Sequence, residues 1–160
     1  MSQFDLFLFV QIWPGSWIYN DHIKINHTID YFTIHGLWPE YYNGSWPEYC
    51  SNEKFNISSL DPIKRNLTKY WTNFYDPEKL WRHEFHKHFT CAQSDTLTST
   101  ELLYFTAGLQ LRNYLNIYSW LSAHNIHPSN DTMYPVTDIV KAIEQQINLT
   151  PIIYCDKHSI

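Results

Sequence analysis

Positive charge is in short supply in this 160-residue chain, with eleven Lys and Arg against sixteen Asp and Glu, and glycine and cysteine are scarce, at four and three. The net charge of −5 gives no global field able to hold a polyanion, which excludes stoichiometric packaging of nucleic acid. Three cysteines allow at most one internal disulfide and leave one thiol over. Long apolar runs are missing too. The run from Phe4 to Val10 is interrupted by Asp5, is too short to cross a membrane and lacks a basic flank, so neither a signal peptide nor a membrane anchor is expected. Repeats, low-complexity tracts and a recognisable linker are equally absent.

What is abundant is apolar and aromatic surface, at 44% and 18% of residues, enough for one compact domain with a full core over residues 1–160. Nine histidines can reverse the sign of the net charge as pH falls through their ordinary range, so polyanion binding should improve in acid. Six Asn-X-Ser/Thr sequons begin at Asn26, Asn43, Asn56, Asn66, Asn130 and Asn148, a density that favours a secretory route and a glycoprotein. Alternation over Phe4 to Gln11 predicts a buried strand closed by Pro14-Gly15, and Tyr31 to His35 a second, closed by Gly36 and Pro39. Helices are expected over Leu60 to Phe74, Glu78 to Thr90, Thr100 to Leu115, Tyr118 to His124 and Thr137 to Ile147, then a strand from Ile152 to Cys155. The order reads as α+β, an antiparallel sheet packed against several helices.

Two segments concentrate reactive side chains. FTIHGLWPE, residues 32–40, puts His35 at a strand end with Gly36 to let the backbone turn beneath it. HEFHKHFTC, residues 83–91, gathers three histidines, a glutamate and a lysine within six residues. On an α-helix His83 stacks with Lys87 and Glu84 with His88, giving one broad polar face. A zinc site of the His-Glu-X-X-His kind would need a second histidine where Lys87 stands, so no metal ligand and no cofactor is assigned. A merely solvated face remains open, although Trp81, Phe85 and Cys91 set the segment among apolar neighbours. The third reading is metal-independent phosphoryl transfer: RNA carries its own 2′-hydroxyl nucleophile, so one base, one acid and a cationic group suffice.

FTIHGLWPE and HEFHKHFTC resemble, in order, the two active-site motifs of the ribonuclease T2 family. FDLFLFVQIWPGS at residues 4–16 is similar to the family's first strand and following turn, and IHP at 126–128 recurs in members. The resemblance implies an endoribonuclease cutting single-stranded RNA through a 2′,3′-cyclic phosphate, with low base specificity. It implies His35 and His88 as the acid–base pair, His35 protonating the leaving group and His88 taking the 2′-proton. Glu84 and Lys87 would stabilise the transition state, His83 would contact phosphate, Trp38 would stack on a base and Glu40 would touch its edge. RNA is the implied partner, not DNA or a membrane, and the protein is expected to act as a secreted or endolysosomal monomer.

The same resemblance pairs Cys50 with Cys91 and leaves Cys155 without its family partner, as if the chain lacked the family's last strand. Ile12 stands where many members have a base-contacting glutamine, Phe85 replaces a tryptophan, and Phe89 replaces the glycine after His88. In a working enzyme Phe89 should point away from the cleft. The alternative is a catalytically weak, glycosylated T2-like protein that acts by binding RNA or a partner.

Overall fold

The computed structural model describes residues 4–20, 22–24, 29–129 and 131–155; the sequons at Asn26 and Asn130 lie outside them. In chain order the elements are β1 (Leu6–Ile12), α1 (Pro14–Asn20), β2 (Thr33–Glu40), a 3-10 segment (Ile57–Ile63), α2 (Lys64–Tyr70), α3 (Pro77–Glu84), a π turn (Phe85–Phe89), α4 (Thr90–Ala92), α5 (Glu101–Tyr114), α6 (Ile117–Ala123) and α7 (Val136–Ile147). The antiparallel sheet with helices is the expected α+β class. Residues 151–155 form no strand, so the expected Ile152 to Cys155 strand is not there. Pro14-Gly15 opens a helix rather than a turn, and the helix expected from Leu60 splits into the 3-10 segment, which contains Pro62, and α2.

The expected single core resolves into two, one in each compact unit. The first unit takes Met1–Ile12 and Thr33–Leu115. Its core gathers Ile34 and Leu37 of β2, Leu67, Trp81, Phe85 and Phe89, and Tyr104, Phe105 and Leu109 of α5 around Trp71. Gly108 lets α5 close on that indole: a Cβ there would stand 2.3 Å from Trp71. The second unit takes Trp13–Phe32 and Asn116–Ile160, and its core is Leu121 of α6 with Ala142 and Ile143 of α7. Asn148, in the left-handed conformation, closes α7. No helix among the described residues is long and apolar enough to cross a membrane. The described sequon asparagines Asn43, Asn56, Asn66 and Asn148 are all exposed.

Pairing within the first unit runs from Leu6 opposite Glu40 to Ile12 opposite Thr33, with one irregularity: Val10 faces Gly36 and Gln11 faces Ile34. His35 is therefore the extra residue of a β-bulge. Core side chains hold the backbone at the bulge and just beyond it, the Trp71 indole donating to the His35 carbonyl at 3.0 Å and the Tyr104 hydroxyl to that of Leu37 at 2.7 Å. These bonds satisfy carbonyls of β2 from the core, and among the described residues no third strand pairs with it.

Candidate active site

Strict alternation would put His35 on the face opposite Trp38 and Glu40. The bulge cancels that: an inserted residue flips the faces beyond it and re-aims side chains, and the His35 ring lies edge-on to Trp38 with centroids 5.5 Å apart. Gly36 stays in the strand instead of turning it, and its missing side chain has another use. A Cβ at Gly36 would stand 1.9 Å from Trp38 Nε1 and 2.4 Å from Glu84 Oε2, so only glycine leaves room for that pair. The Trp38 indole fills the space and donates to Glu84 at 3.0 Å.

The second wall begins with α3. Asp76 caps it by accepting from the Lys79 amide, and Pro77 occupies the first turn, where its missing N–H costs nothing. The regular helix expected through residue 90 instead widens at Phe85–Phe89 into a π turn, a device found often at functional sites. Five-residue spacing then brings His83 beside His88, ring centroids 6.5 Å apart, in place of the four-residue stacking expected on an α-helix. His88 stacks on Trp38 at 5.1 Å and 18°. One indole thus touches both motif histidines. Phe89 is buried against Phe85 and Tyr104, away from the cleft, as a working site requires.

Trp38, Glu40, Trp46, Lys87 and His88 line a cleft of about 160 Å³. Trp46 was not singled out from the sequence; the available signal was a tryptophan in a polar loop, and it is 57% exposed. Trp38, proposed as the stacking ring, already has His88 on one face. His35, His83 and Glu84 flank this cleft without lining it: His35 is half-buried, His83 exposed and Glu84 buried. A larger groove of about 500 Å³ along α2, with Arg65 and Lys69, holds none of the candidate residues. Among the described residues no three His, Cys, Asp or Glu side chains converge as a metal cage would require.

Electrostatics follow from crowding like charges in a partly dry place. Burial, then the charges of Lys87, His83 and His35, push His88 down to about 3. Burial first, then His83 and Lys87, also lowers His35, and burial and Lys87 lower His83. Glu84 goes the other way, raised to about 8 by burial, which outweighs the Trp38 hydrogen bond and Lys87. In the free protein near neutrality this site holds neutral imidazoles, a protonated carboxyl and the Lys87 ammonium. Glu84 Oε1 and His88 Nδ1 are buried with no hydrogen-bond partner among the described residues. Uncompensated buried groups and shifted protonation of this kind are characteristic of functional sites.

Residues 4–159 match the model of the Ribonuclease T2 family. Ribonuclease DdI of Dictyostelium discoideum is 37% identical over 96% of this chain and 69% of its own length, and extracellular ribonuclease LE of Solanum lycopersicum 33% identical over 97% and 70%. The chain belongs to the ribonuclease T2 family. Among solved structures, RNase NT in complex with 5′-AMP superposes with a TM-score of 0.82 at 32% identity, covering 96% of this chain and 78% of that one. This T2 protein is an endoribonuclease, and named ribonucleases along nearly its whole length do not favour the binding-only alternative. The disulfide implied by the resemblance is present, Cys50 and Cys91 with Cα atoms 5.0 Å apart, and Cys155 is free and exposed.

Proposed function

We propose that this T2 ribonuclease cleaves single-stranded RNA by metal-independent transesterification between two walls of one cleft. His88 takes the proton of the 2′-hydroxyl, the 2′-oxygen attacks the adjacent phosphorus, and His35 protonates the departing 5′-oxygen. The products are a 2′,3′-cyclic phosphate end and a 5′-hydroxyl end. Lys87 meets charge growing on the phosphorane, Glu84 in its neutral form donates a hydrogen bond there, and His83 contacts the phosphate. The observation that carries this reading is the packing of His35 and His88, 53 residues apart in sequence, on the same Trp38 ring. The exposed Trp46 ring stacks the base and Glu40 contacts its edge, a platform that tolerates any base.

The enzyme acts as a monomer on RNA and not on DNA, which lacks the nucleophile. It works in a secreted or endolysosomal setting, with glycans on exposed sequons. Acidity there supplies the proton that a lowered His35 holds weakly at neutral pH. The test is digestion of single-stranded RNA and DNA by the purified protein in excess chelator. Cyclic phosphate ends from RNA alone support the proposal; failure to cut RNA, or equal cutting of DNA, refutes it.

A further inference from the structure

The loop that follows β2 is fastened to the π turn and α4 at three successive residues. Glu48 pairs with the Lys87 ammonium, Oε2 to Nζ 3.6 Å. The Tyr49 amide donates to the Lys87 carbonyl at 3.1 Å. Cys50 donates its amide to Thr90 Oγ1 at 3.1 Å and is bonded to Cys91. Tyr49 has a φ of 53°, a left-handed conformation that a tyrosine keeps only where surrounding contacts hold it. The backbone that carries Glu48 is therefore held in place beside Lys87. The Glu48 carboxylate stands beside the Lys87 ammonium, and Glu40 is the acidic residue that lines this cleft.

We propose that Glu48 is an internal counter-ion, holding Lys87 in the free enzyme and exchanged for the substrate phosphate on binding. The inference rests on the proposed function, which puts Lys87 on that phosphate. Holding the ammonium aimed at the cleft keeps it from folding back on the helix, and the weakness of a half-exposed ion pair makes the exchange easy. While the pair is closed, Glu48 occupies the ammonium that the phosphate needs. Removing it should tighten anion binding without helping the chemical step.

The test measures inhibition by inorganic phosphate, with KM and kcat on an RNA dinucleotide, in wild type, Glu48→Gln, Lys87→Gln and the double variant. Glu48→Gln should lower the phosphate inhibition constant and KM by about two- to fivefold, the range of an exposed ion pair, with kcat unchanged. In the Lys87→Gln background the same substitution should do nothing, because the effect passes through Lys87. An equal gain with and without Lys87 would make Glu48 a general field effect and overturn the proposal. A fall in kcat with unaltered phosphate binding, or no phosphate inhibition in wild type, would overturn it as well. If wild type inhibits with phosphate as described yet does not cut the dinucleotide, the cleavage reading fails separately.

Discussion

β2 brings rings to the cleft and the α3–α4 run brings charge, and the two walls are held by different means. The strand wall is tied through its backbone: Trp71 and Tyr104 donate to the carbonyls of His35 and Leu37 from the middle of the core. The helical wall is shaped by a departure from regular helix, the π turn, and by the loop fastened over it at Tyr49 and Cys50. A strand can present only alternate residues to one side, so His35 joins Trp38 by way of a bulge; a helix can gather neighbouring residues, so four candidate side chains lie within six positions. Aromatic surface that must not move sits on the wall anchored in the core. Charge sits on the wall nearer solvent, where His83 is exposed and Lys87 half-buried.

The harshest break is removal of one imidazole from either wall. His35→Ala and His88→Ala should each reduce turnover of RNA by about 10² to 10⁴-fold with unchanged far-UV circular dichroism. If one wall tolerates the loss, the cleft does not use a pair. Next comes Gly36→Ala, which drives a methyl group into the Trp38–Glu84 hydrogen bond where the walls meet. Displacing the indole on which His88 stacks should cost about 10²-fold in kcat, with altered tryptophan fluorescence. Unchanged kinetics would mean that the walls need not touch.

The pH dependence separates the walls more gently. In the free enzyme His88 loses its proton near 3 and His35 below its ordinary value of 6.5. As pH rises past about 3, His88 becomes a competent base; as it rises further, His35 loses the proton it must donate. The kcat/KM profile should therefore peak below pH 6.5. Bound phosphate favours both protonated rings, so the kcat profile should lie at higher pH than the kcat/KM profile. Coincident profiles centred above neutrality would contradict the electrostatic account. The smallest effect is expected at Glu84. Held protonated up to about 8, it resembles an amide at working pH, so Glu84→Gln should lose much less than the roughly 10²-fold expected of Glu84→Ala. Equal losses would mean that the carboxylate itself is needed.

How much of this was legible in the sequence differs between the walls too. The alternation of residues 4–11 marks β1, and the clustering of residues 83–88 marks the helical run that carries the candidate side chains. The bulge was hidden because two-residue periodicity assumes regular pairing, which puts His35 on the wrong face. The π turn was hidden because helix spacing assumes four-residue neighbours, which pairs His83 with Lys87 rather than with His88. Trp46 and Glu48 lie in a loop with no periodicity to mark them; Trp46 is singled out by lining the cleft and Glu48 by its ion pair with Lys87. The second core was missed because the helical stripes of α6 and α7 name apolar faces without naming their partners.

The division of labour between the walls is tested most directly by the leaving group. A nucleoside 3′-(4-nitrophenyl phosphate) expels a weakly basic phenolate that needs no protonation, so it bypasses the acid but not the base. Rates of His35→Ala and His88→Ala should be compared on this substrate and on a dinucleotide. His35→Ala should recover most of its lost rate on the nitrophenyl ester, while His88→Ala stays crippled on both. Equal losses on both substrates in both variants, or recovery by His88→Ala alone, would contradict the assignment of acid to the strand and base to the helix.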